Sequence, residues 1–122
     1  FEYGGLRLDA DAIRADGHLR VQVDVANAGS RAGDEVVQLY VRRERGSTAD
    51  TLQELRGFQR VHLAPGERRT VAFTLEAPQA LRHYDDARAA YVVRPGAYEV
   101  RVGASSADVR AQGRFTVVPT HD

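Results

Sequence analysis

The chain has 122 residues, with 17 basic and 17 acidic side chains, and no cysteine, methionine or tryptophan. That length supports one domain with a core of its own, and the missing cysteine excludes a disulfide framework, a cysteine-based metal site and a cysteine nucleophile. Balanced, intermixed charge argues against nucleic acid as a partner, since a binder of that kind carries a basic stripe.

No apolar run reaches membrane-spanning length, so no membrane partner is expected, and no signal-peptide pattern opens the chain. Every basic residue is arginine, a trace of GC-rich coding rather than of function. With no methionine, Phe1 is not an untouched translation start, and the chain is expected to be a processed product or, the favoured reading, a piece of a longer protein. The compartment stays open: bacterial cytoplasm, periplasm and the exterior all remain compatible.

Period-2 alternation dominates the chain. Leu19, Val21, Val23 and Val25 point one way, and Arg20, Gln22, Asp24 and Ala26 the other. The segment Asn27 to Gly33 is a turn rich in residues that tolerate positive φ. The next strand is apolar on both faces: Val37, Leu39 and Val41 form one, and Val36 and Tyr40 contribute to the other. Residues 43–53 form a polar loop without periodicity.

Leu55 to Leu63 is predicted as a strand, closed by Ala64-Pro65-Gly66-Glu67, where Pro-Gly suits the centre of a type II turn. Val71, Phe73 and Leu75 alternate inward, and Pro78 to Tyr84 is the one helical candidate, a single turn. Tyr91 to Val93 is a strand, a second Pro-Gly turn follows at Pro95-Gly96, and Tyr98, Val100 and Val102 alternate after it. Ser105 to Asp108 forms a turn, and Phe115 and Val117 belong to the last strand. Seven or eight short strands with regularly spaced turns predict an all-β fold, an antiparallel β-sandwich of the immunoglobulin or fibronectin type III kind. Tyr98 is either a tyrosine corner or a plain core tyrosine.

The catalytic motifs are missing. Ser105, Ser106, His83 and Asp85 supply the residue types of a nucleophilic triad, but no Gly-x-Ser-x-Gly elbow places them. Asp85 and Asp86 are adjacent and point to opposite sides in extended chain, so they do not form a facing carboxylate pair. Asp9, Asp11 and Asp16 resemble a calcium loop only in part, because Ile13 takes a ligand position and the closing glutamate is missing. The four histidines lack metal-ligand spacing, and no phosphate loop is present, so neither metal nor cofactor is expected. Tyr3, Tyr40, Tyr84 and Tyr91 are candidates for a small sugar-stacking platform, against the alternative of core or domain-contact residues.

Several motifs occur in a characteristic order: Phe1-Glu2-Tyr3, Gly33 to Val41, Glu54-Leu55-Arg56-Gly57-Phe58, Leu63 to Glu67, Pro95 to Val100 and Val102 to Ser106. Together they strongly resemble the fibronectin type III-like domain at the C-terminus of glycoside hydrolase family 3 enzymes, the β-glucosidases and β-xylosidases. The resemblance covers residues 1–118 as one domain and leaves 119–122 as a tail. It implies a non-catalytic accessory role, because in that family catalysis belongs to a preceding barrel and α/β sandwich, which would be this domain's partners within the same polypeptide. A subunit contact is a further possible role. An independent carbohydrate-binding or protein-interaction module is the alternative. One departure is Ala90, where many members carry tryptophan.

Under that resemblance the candidate domain-interface residues are Val36, Tyr40, Glu54, Arg56 and Phe58. Glu54 and Arg56 share one side of a strand and can pair with each other or with a neighbour. Gly57 would let another backbone approach closely, and Phe58 is large enough to anchor a contact.

Overall fold

A computed structural model of the chain describes residues 1–43, 54–85, 87, 89–93, 95–105 and 107–118. Among these, the strands are β1 (Glu2–Leu8), β2 (Ala12–Arg14), β3 (His18–Ala26), β4 (Gly33–Arg43), β5 (Glu54–Leu63), β6 (Arg68–Glu76), β7 (Arg82–Asp85), β8 (Ala90–Val93), β9 (Gly96–Ser105) and β10 (Asp108–Val118). A single helical turn, α1 (Ala77–Ala80), lies between β6 and β7. One sheet has the order β1-β3-β6, the second β2-β10-β9-β4-β5, and β7 pairs with β8 in a separate ribbon.

The alternating pattern decides which side chains fill the space between the sheets. In the three-stranded sheet Leu19, Val21 and Val23 stand opposite Leu75, Phe73 and Val71, and all six are buried. In the five-stranded sheet Val37, Leu39, Val41, Val61, Leu63, Tyr98, Val100, Val102, Phe115 and Val117 face them, also buried. Each fully buried aliphatic side chain contributes roughly 1.5–3 kcal/mol, so this single cluster carries most of the fold. Tyr98 is part of it, with its ring stacked 5.5 Å from that of Phe115. Its core placement accounts for the apolar body of the residue.

Three strands were not legible in the alternation. β1 is broken by a register shift between Gly4 and Arg7, which interrupts its period. β2 has only three residues, and it runs parallel to β10, with Ile13 opposite Val117. That parallel pair departs from the antiparallel expectation and needs a partner more than a hundred residues away. The third is β7: the helical turn expected over Pro78 to Tyr84 ends at Ala80, and Arg82 to Asp85 pairs with Ala90 to Val93 instead. Pro78 suits only the first turn of a helix, and a segment this short has little helical stability of its own against a strand partner.

The turn at Pro65-Gly66 forms as expected, with Gly66 at φ +77° and the Glu67 amide donating to Ala64 O at 2.9 Å. It is tied across the molecule by Asn27, which is buried. The Asn27 side-chain amide donates to Leu63 O at 3.0 Å and Arg31 O at 2.7 Å, while its carbonyl accepts the Gly29 amide. Asn27 thus ties together the two turns that carry the chain between the sheets, β3 to β4 and β5 to β6.

Candidate domain interface

The two sheets present very different outer faces. On the three-stranded sheet the outward positions include Arg20, Gln22, Asp24, Thr70 and Thr74, and Asp24 accepts from Thr70 Oγ1 at 2.7 Å and from Arg7 at 3.3 Å. Those bonds, the one from Thr70 most, hold the Asp24 carboxyl below its ordinary value. It is a solvated polar surface.

The outer face of the five-stranded sheet is apolar on its β4–β5 side. Among the described residues, the exposed large apolar side chains are Phe58 (67%), Leu55 (46%) and Val36 (37%), and all three stand here. Cross-strand register explains the grouping: Val36 lies opposite Arg60, Gln38 opposite Phe58, and Tyr40 opposite Leu55, so their side chains share one side of the sheet. Tyr40 is half-buried in this row and donates its hydroxyl to Gln38 Oε1.

Charged groups rim the patch. At one end Arg60 donates to Asp34 at 2.6 and 3.0 Å, and His62 Nδ1 meets the other carboxylate oxygen. These contacts, His62 first and Arg60 second, lower the Asp34 carboxyl below its ordinary value. On the β9 side Glu99 is 6% exposed, with one carboxylate oxygen 3.0 Å from Arg42 Nε and 3.1 Å from Arg101 Nε. Those are ion-pair distances, although the angles fall outside hydrogen-bond geometry for that oxygen. A buried carboxylate between two guanidiniums is costly to leave with fewer partners.

The five sequence-derived candidates therefore divide. Val36, Tyr40 and Phe58 come together on the outer face. Glu54 and Arg56 do pair, as their spacing suggested, but Arg56 Nε also donates to Ala80 O in the helical turn. A register shift between Leu39 and Tyr40 turns Arg56 away from the outer row and toward that turn. The reading of Gly57 needs correction. A β-carbon there would lie 2.9 Å from Phe73 Cδ1, so the glycine makes room for a core ring of the opposite sheet rather than for another backbone. Leu55 was missed, since the shift that brings it outward depends on pairing rather than on local sequence. So was Glu99, whose position in the alternation is simply polar.

The other sequence candidates fall elsewhere. Asp9 Oδ1 accepts the Arg20 amide at 2.9 Å, and Asp16 lies 3.6 Å from Arg14, so these carboxylates serve local structure. Ser105 Oγ accepts the Ala107 amide in the turn. Tyr3 belongs to the three-stranded sheet and Tyr40 to the five-stranded one, so the two do not share a platform. Ser106, Asp86 and the loop 44–53 lie outside the described residues, as do the side chains of His83, Tyr84, Asp85 and Tyr91.

Comparison with known proteins places this architecture. Residues 35–106 match the model of the fibronectin type III-like domain. The chain belongs to that family. Over 118 residues the domain is 36% identical to the β-glucosidase BoGH3A of Bacteroides ovatus, covering 97% of the chain and 16% of that protein. A β-xylosidase of Formosa agariphila is 43% identical over 106 residues, covering 87% of the chain and 14% of that protein. Among solved structures, a β-glucosidase from Erythrobacter marinus superposes with a TM-score of 0.85 at 38% identity, over 95% of this chain and 15% of that one. Relatives occur in yeast as well, including a β-glucosidase of Kluyveromyces marxianus. The domain matches the C-terminal domain of glycoside hydrolase family 3 enzymes, spans about one-seventh of the length of the relatives it matches, and is not their catalytic part.

Proposed function

We propose that the fibronectin type III-like domain packs, through the outer face of β4 and β5, on the catalytic barrel and α/β sandwich of the same polypeptide and stabilises them. The parent enzyme on this reading removes terminal β-linked glucose or xylose, the activities named for its relatives. The observation that carries the reading is the grouping of Phe58, Leu55 and Val36 on one face, beside a polar rim and opposite a sheet whose outer face is mostly polar. An apolar centre within a charged rim is how a domain contact is built, with aromatic side chains as anchors. Val36, Tyr40 and Phe58 form the centre. Glu54 and Arg56 stand at its border, where their role is to hold the edge of β5 against the helical turn.

The test is made in the full-length parent. Phe58→Asp should lower its melting temperature by several degrees, while the same change in the 122-residue chain leaves that chain's stability nearly unaltered, because Phe58 contributes little to the isolated core. Turnover of nitrophenyl glucoside or xyloside should survive at low temperature and fail early on heating. An unchanged melting temperature in the parent would refute this docking face.

A further inference from the structure

The beginning of the chain is held by residues from distant segments. Arg110 Nη1 donates to Phe1 O at 3.1 Å, and the same guanidinium is fixed by Asp108, with bonds of 2.6 and 3.1 Å to the two carboxylate oxygens. It lies over the Tyr3 ring, 5.8 Å from the centroid, in cation–π geometry. The Tyr3 hydroxyl donates to Glu35 Oε2 at 3.1 Å, and the Phe1 ring covers Gly33, where a β-carbon would meet Phe1 Cζ at 3.6 Å. Burial first, and the Glu35 carboxylate second, push the Tyr3 hydroxyl above its ordinary value, so it stays a donor. Residues from β1, the start of β4 and the start of β10 thus converge on the first three residues.

Glu35 is also the immediate neighbour of Val36, the first residue of the apolar patch, so one strand carries both features. We infer that this clasp fixes the direction in which a preceding polypeptide leaves the domain relative to the outer face of β4 and β5, and so pre-orients that face for docking. The inference rests on the reading of the chain as one domain of a larger glycosidase. Docking between parts of one polypeptide is intramolecular, and its equilibrium follows the effective concentration of one surface at the other. A junction held in the right direction raises that concentration, and a loose one spreads the domain over many unproductive orientations. The clasp does this without adding any contact at the docking surface itself.

Hydroxyl-radical footprinting of the full-length parent separates the two claims, because Phe58 and Leu55 report solvent access directly. In the unaltered parent Phe58 should be oxidised severalfold more slowly than in the 122-residue chain. Arg110→Ala, and more mildly Tyr3→Phe, should raise Phe58 oxidation in the parent severalfold, while the circular dichroism of the 122-residue variants stays native. Tyr3→Phe keeps the ring and removes only the bond to Glu35, so it remains informative if Arg110→Ala loosens the domain. Continued protection of Phe58 in Tyr3→Phe and Arg110→Ala alike would overturn the clasp and leave the docking face standing. Full oxidation of Phe58 in the unaltered parent would instead remove the docking face, and the inference with it.

Discussion

The ring of Phe73 on β6 occupies the space that a β-carbon on Gly57 of β5 would need, 2.9 Å away. This close fit joins the two sheets along the side where both end, reinforced by Gln59 Nε2 donating to Ala72 O. Gly57→Ala should therefore destabilise the chain by about 1–3 kcal/mol through overpacking. In a Phe73→Leu background the same change should cost clearly less, which a double-mutant cycle by urea denaturation would measure. Equal costs in both backgrounds would mean that the ring and the glycine are not coupled.

The two-faced strand separates stability from docking. Leu39→Ala removes a fully buried side chain and should cost about 2–5 kcal/mol in the 122-residue chain. Val36→Ala, three residues earlier on the opposite face, should stay within about 0.5 kcal/mol there. Chemical denaturation of the two variants checks the contrast, and comparable losses would contradict the assignment of faces.

Asn27 is a buried polar residue that ties the two turns joining the sheets. Asn27→Ala leaves the Leu63 carbonyl without this donor and unties both turns, at about 1–3 kcal/mol. Asn27→Asp should recover little, since a carboxylate would face carbonyl oxygens rather than donate to them. The denaturation midpoint should fall with the slope unchanged.

Acid stability has a defined direction. Asp24, Asp34 and Asp108 all lie below their ordinary value of 3.8 in the folded chain, held by Thr70 and Arg7, by His62 and Arg60, and by Arg110 respectively. Each therefore binds fewer protons folded than unfolded, so its contribution is fully present above its unfolded value and is lost as pH falls through the lowered folded one. Melting temperature should decline below about pH 4. Asp34→Asn should flatten part of that decline, and an unchanged acid profile would show that its partners do not hold it in solution.

Much of the fold was legible because a strand with one buried face writes itself into sequence at period two: Leu19 to Val25 and Val71 to Leu75 needed no partner to be recognised. β2 and β7 were not, since three or four residues carry no period and become strands only through β10 and β8. Within the candidate interface, Val36 and Tyr40 stood out locally as apolar side chains on the second face of one strand, and Phe58 was singled out by its size under the family resemblance. Leu55 and the inward turn of Arg56 depend on a register shift, which no local pattern announces.

Sequence by itself determined the core, the Pro65-Gly66 turn and the family, since these follow from side-chain type and spacing along one strand or turn at a time. Only the tertiary structure decided that Gly57 serves Phe73, that Arg56 reaches Ala80, and that Arg110 closes over Phe1 and Tyr3. Each of those joins residues far apart in the chain, and their contact exists only once the strands have chosen their neighbours and register.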